Sequence, residues 1–212
     1  MAEFDNDWTN VGQTHPDGSG KPEQWTGREI AILGPGPGLM AGRVKAGWTG
    51  RFLEDFEEGD VYRHQRGRTV TDSDNVWFTL LTSNTHQLHF NADYASRTEF
   101  GQPLVVSTLT LAIVTGLSVD DVSLNAVANL GWNDVRLSAP VFAGDTLYAE
   151  SEVLSVRPSA SRPLQGIVTV RTRGTNQRGE TVISFERSVL VPTRRSAIAL
   201  RPDHSAHTED PT

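Results

Sequence analysis

Cysteine is absent from the 212 residues. That absence excludes disulfides, thiolate nucleophiles and thiolate metal sites, and leaves the redox compartment unreadable from sulfur. Lysine is scarce, present only as Lys21 and Lys45, so arginine carries the positive charge. The net charge of -7 provides no basic footprint for nucleic acid or an anionic membrane surface, and neither partner is expected. Long apolar runs are missing as well. The longest, residues 104–117, is too short to span a bilayer and contains Ser and Thr. The opening MAEFDNDWTN has no basic segment followed by an apolar one, so no secretory signal is expected and a cytoplasmic location follows by default. IAILGPGPGLMAG has glycines but lacks the Lys-Ser/Thr ending of a phosphate loop. His86, His89 and Asp93 match no common zinc spacing. Neither a metal nor a cofactor is expected.

What is present divides into three stretches. Residues 1–49 are polar and rich in Gly and Pro, with Trp8, Trp25 and Trp48 scattered among them. They read as a partly ordered arm that packs on the domain or on a partner. Residues 50–193 carry the periodic patterns of a folded domain, and residues 194–212 form a polar tail. Within the domain, Thr71 or Asp72 caps a helix whose apolar stripe is Val76, Leu80 and Leu81. The loop NTHQLHFNAD follows, then a short helix over residues 92–100 closed by Gly101 and Pro103. Residues 104–117 are apolar on nearly every face, which predicts a helix buried on all sides. Beyond it the period changes to two. Strands are predicted at 129–137, 146–156, 166–175 and 181–191, with an earlier one at 61–69. In the last, Ile183, Phe185, Val189 and Val191 share a face, and N-Q-R-G before it marks a hairpin. One buried helix and a five-stranded antiparallel sheet give an α+β domain in which the sheet wraps the helix, the hot-dog architecture. Its open edges predict a homodimer or higher homo-oligomer.

The densest set of acid-base groups is TSNTHQLHFNADYA, with Asn84, His86 and His89. Histidine titrates near neutral pH and suits proton transfer to and from carbon and oxygen. An amide such as Asn84 cannot take up a proton but holds water through its carbonyl oxygen. The same histidines also fit a loop satisfied by backbone groups. Arginines are frequent late in the chain: Arg157, Arg162, Arg171, Arg173, Arg178 and Arg187. Alternation puts Arg171 and Arg173 on one strand face, read as a solvated outer surface or as a grip on phosphates or a carboxylate, with Arg136 another candidate.

FTLLTSNTHQLHFNADYASRTEFGQPLV resembles the signature of the MaoC-like (R)-specific enoyl-CoA hydratases and dehydratases. That family commonly shows Ser-Gly-Asp-x-Asn-Pro-x-His and then Phe-Gly-x-Pro. Here the first stands as Thr82-Ser83-Asn84-Thr85-His86-Gln87-Leu88-His89 and the second as Phe100-Gly101-Gln102-Pro103. FEEGD and VFAGDTLYAESEV extend the likeness over most of the chain, from about Phe52 to Pro192. The family's catalytic Asp position is Asn84, its Asn position is His86, and its usual His-Gly-Met after the proline is Val106-Ser107-Thr108. The Asn-Thr-His loop is similar to that of a subgroup acting on mesaconyl- or itaconyl-CoA. The resemblance implies a hydro-lyase acting on an acyl thioester of CoA or acyl carrier protein. His89, Asn84 and His86 would be catalytic, and Ser107, Val106 and Thr108 at the helix N-terminus would bind the thioester oxygen. A hot-dog thioesterase and a catalytically inactive acyl-thioester-binding protein are the alternatives, the latter favoured by Asn84 in place of Asp.

Overall fold

The computed structural model describes residues 47–198. Most of the expected N-terminal arm and the end of the polar tail therefore lie outside the described residues. In chain order come β1 (Val61–Arg63), β2 (Arg68–Thr69), α1 (Asp72–Thr82), α2 (Ala92–Ser96) and α3 (Ser107–Leu117). Then follow β3 (Ala128–Leu137), β4 (Thr146–Pro158), β5 (Gln165–Thr175), β6 (Thr181–Pro192) and α4 (Arg194–Ile198). The sheet is antiparallel in the order β1-β4-β5-β6-β3, with β2 also pairing with β4.

The three long strands form a meander. β5 and β6 are joined through Asn176–Gly179, where the Gly179 N–H donates to the Asn176 carbonyl and Gly179 takes φ 77°. This is the hairpin that N-Q-R-G predicts. The predicted strand at 61–69 is interrupted and becomes β1 and β2. His64 between them is buried, with its side chain tied to Asp121 and Ser151 at 2.9 Å each.

α3 lies on the sheet through Leu109 and Val114, which join Val70, Leu147, Ile183 and Phe185 in one apolar cluster. Val168, Val170, Val189 and Val191 join Phe56 and Val122 in a second. As the alternation predicts, Ile183, Phe185, Val189 and Val191 are all buried. Close approach of helix to sheet needs Gly174 on β5, where an added Cβ would stand 2.7 Å from a Val114 methyl.

Three expectations are corrected. α3 starts at Ser107 rather than at 104, because Leu104 and Val105 are held extended: the Leu104 N–H donates to the Leu88 carbonyl and the Val105 N–H to Val141. α3 is also not enclosed on all sides. Thr108, Ala112 and Gly116, one line at i, i+4 spacing, are exposed. α1 turns its predicted apolar stripe outward. Leu80 and Leu81 are 69% and 79% exposed, while the polar Asn75 and Thr79 are buried.

Candidate active site

α1 is fixed at its start by a reciprocal cap. Thr71 Oγ1 accepts the Asp74 N–H, and the Asp74 carboxylate accepts the Thr71 N–H. Burial tends to raise the Asp74 carboxyl pKa, but these bonds and Arg68 hold it below the ordinary carboxylate range. The helix ends at Ser83, whose left-handed φ of 54° turns the chain into the histidine loop. There the Asn84 N–H reaches back to the Thr79 carbonyl at 3.0 Å.

Within the loop Asn84, His86 and His89 each make one defined side-chain bond. Asn84 Oδ1 accepts the His86 N–H at 3.1 Å. His86 Nδ1 accepts the Leu88 N–H at 3.2 Å and opens a 3-10 turn over Gln87–His89. A backbone N–H can only donate, so His86 Nδ1 is bare and its neutral ring carries the proton on Nε2. His89 is the reverse. Its Nδ1 lies 2.8 Å from the Leu104 carbonyl, which can only accept, so Nδ1 carries a proton and in the neutral ring Nε2 holds the lone pair, unpartnered among the described residues. The two rings are 5.7 Å apart, and Tyr94 stands edge-on to His86 at 6.2 Å. One imidazole thus offers a base and its neighbour a donor.

The Leu104 stretch that accepts from His89 leads into α3. Val106 precedes its first residue and has no side-chain cap. The Val106 N–H is already given to Asn75 Oδ1 at 2.9 Å. Of the three residues expected to bind the thioester oxygen, Ser107 and Thr108 therefore lie in a first turn whose N–H groups lack intrahelical acceptors, and Val106 does not. An open cleft of about 550 Å³ is lined by Asn84, Thr85, His86, Gln87 and Tyr94. A second, of about 280 Å³, is lined by Leu104, Ser107, Thr110, Leu137 and Val141.

Asn75 escaped the sequence reading. It is 3% exposed and bonded to three main-chain groups: its Nδ2 to the His89 and Leu104 carbonyls at 2.7 and 3.0 Å, its Oδ1 to Val106. The only signal was an asparagine inside a helix, where that side chain usually competes with the backbone.

The arginines sort differently. Arg171 pairs with Glu186, Arg173 with Glu150, Arg178 with the buried Asp145 and Arg136 with Asp134, and these four arginine side chains are largely exposed. Arg187 alone among them is buried. Asp121, beside the far end of α3, is pushed up by burial but held below the usual carboxylate range by His64 and Arg51. Ser151, at the other end of His64, is fully buried and bonded onward to Thr172, so this chain of side chains braces the sheet. Among the described residues no three His, Asp or Glu side chains converge on a metal position.

A sheet folded over one helix, with a histidine loop tied to the backbone before the helix N-terminus, is the hot-dog fold. A family model described as mesaconyl-CoA hydratase matches residues 39–211, and the chain belongs to that family. It is 40% identical over 148 residues to a mesaconyl-CoA hydratase of Cereibacter sphaeroides, covering 70% of this chain and 43% of the relative. The solved MaoC-like dehydratase from Rhodospirillum rubrum is 30% identical with a TM-score of 0.60, and the match covers 68% of this chain and 99% of that one. A Mycobacterium tuberculosis protein described as having a double hotdog fold matches at a TM-score of 0.63, 23% identity, 77% of this chain and 47% of that one. The chain spans less than half the length of the mesaconyl-CoA hydratases it matches, such as 43% of the Cereibacter protein.

Proposed function

We propose that this domain catalyses the reversible addition of water to a 2-enoyl thioester, giving the 3-hydroxyacyl thioester. The acyl group is short and branched or carboxylated, as in the substrate named for the Cereibacter relative, and the carrier is CoA. One observation carries the reading: the bond from His89 Nδ1 to the Leu104 carbonyl leaves Nε2 as a bare base and ties the ring to the segment that leads into α3.

The thioester carbonyl lies at the N-terminus of α3, where the Ser107 and Thr108 N–H groups and the helix dipole stabilise negative charge. His89 Nε2 removes a proton from water as its oxygen bonds to C3. The π electrons move to the thioester oxygen and form an enolate. As the enolate collapses, C2 takes the proton back from His89, so water is added with no net change in the enzyme. Asn84, its carbonyl oxygen partly committed to the loop, orients the water and does not titrate. The His86 Nε2–H donates to the same water or to a substrate oxygen. A thioesterase is disfavoured because α3, STLTLAIVTGL, holds no carboxylate.

The test offers mesaconyl-CoA and crotonyl-CoA to the full chain and follows products by mass spectrometry. Hydration adds one water and keeps CoA attached. His89→Ala is expected to slow turnover by a factor on the order of 100 to 10,000, with KM changed far less. Asn84→Asp with His86→Asn should exceed the sum of the single changes if the two positions are coupled. Undiminished turnover in His89→Ala, or release of free thiol by the wild type, would overturn the reading.

A further inference from the structure

The loop histidine and the helix N-terminus belong to different segments, and one side chain holds both. Asn75, on the buried side of α1, donates through Nδ2 to the His89 carbonyl and to the Leu104 carbonyl. Leu104 is also the acceptor that fixes the His89 tautomer. Its two lone pairs are thereby used by one histidine N–H and one amide N–H. Through Oδ1, Asn75 accepts the Val106 N–H immediately before α3. All of an amide's bonding directions but one are spent on the backbone on either side of the site.

An apolar residue here leaves the Val106 N–H and the His89 carbonyl unpaired. Buried groups of that kind displace their segments to find water or other partners. Chemistry that needs a base and an oxygen-binding helix end in register tolerates little displacement. We infer that Asn75 is a positioning residue, which sets the distance and orientation of the His89 base relative to the N-terminus of α3. The inference rests on the assignment of His89 as proton carrier.

Substitution by aspartate separates positioning from mere stability. The aspartate is isosteric and still accepts from Val106, but its other oxygen faces two carbonyl oxygens. Ionised, it is repelled by both, so its carboxyl pKa is raised. Protonated, it donates one bond and restores part of the clasp. The titratable group bonded to the same Leu104 carbonyl is His89, and the neighbouring Asp74 is committed to Thr71 and Arg68.

The experiment compares the full chain with Asn75→Leu, Asn75→Asp and His89→Ala on mesaconyl-CoA and crotonyl-CoA across pH. Fold is checked by circular dichroism and the His89 tautomer by nitrogen-15 chemical shifts. Asn75→Leu is expected to lower kcat by about 100-fold, as expected for a displacement near 1 Å, with KM within a few-fold. In Asn75→Asp, kcat falls as pH rises through a transition the wild type lacks, and the Nδ1–H tautomer of His89 is lost over the same range. If Asn75→Leu does not fold, Asn75→Asp decides. A wild-type pH profile and an unchanged tautomer in Asn75→Asp, with His89→Ala inactive, would overturn this inference alone. An active His89→Ala would overturn the reading beneath it.

Discussion

Arg187 reaches Ser118 Oγ with one guanidinium nitrogen at 2.9 Å, leaves Nε without a partner and forms no ion pair among the described residues. Burial pulls its pKa down to about 10. Desolvating a charge costs several kcal/mol. A charge-assisted hydrogen bond returns about 1.5–3 kcal/mol and the negative end of a helix about 0.3–2 kcal/mol. The balance is unfavourable, so Arg187→Met, with similar reach and no charge, is expected to raise Tm in thermal unfolding. A lower Tm would mean that the cation has an anionic partner. In the sequence Arg187 sat among arginines that read as a solvated face. Period-two alternation does place it with Phe185 and Val189, but a charge argues against an inward assignment. What resolves the conflict is Ser118 at the C-terminal end of α3, which meets Arg187 in a long-range contact with no local signal. The same holds for Asn75, whose two acceptors and one donor lie 14, 29 and 31 residues away along the chain.

Among elements, the legible ones are those whose instructions are local. The Thr71 cap, the Asn176–Gly179 hairpin and the alternation of β6 each depend on a few neighbouring residues, and each stands as the sequence indicates. The orientation of α1 depends on what lies beneath it. Its inner side must satisfy the carbonyls of the histidine loop, so Asn75 faces inward and Trp77, Leu80 and Leu81 are left outside. The histidine loop itself was legible as a cluster of titratable side chains, but not the tautomer of His89, which follows from the distant Leu104. Helix–sheet spacing is set by Gly174, where an added methyl meets Val114 and Ile183 side chains at 2.7 and 2.8 Å. Overpacking of that kind costs about 1–3 kcal/mol, more than the roughly 0.5–1 kcal/mol that alanine gains over glycine in the unfolded chain. Gly174→Ala is therefore expected to lower the urea midpoint with the m-value unchanged; an unaltered midpoint would mean that α3 shifts freely on the sheet.

For the whole molecule, the exposed faces matter most. Among the described residues β3 pairs only with β6 and carries Leu130, Trp132, Val135 and Leu137, each 42–52% exposed, at an unpaired sheet edge. Thr108, Ala112 and Gly116 leave α3 open to a close neighbour. An edge this apolar pairs readily, and a second copy of the domain is the occupant proposed for it. Sedimentation at micromolar concentration is expected to give a dimer, and an active monomer would refute that assembly. The two ends of α3 then take on unequal electrical roles. A fixed cation lies under its carbonyl end, and the reacting oxygen is proposed to sit at the other. Across 11 residues, a span of roughly 16 Å, a unit charge at an effective dielectric of about 20 favours a nascent anion by about 1 kcal/mol. That corresponds to roughly fivefold in rate. The arginine that weakens the resting protein would thus speed its reaction from afar, and Arg187→Met would melt at a higher temperature while turning over more slowly.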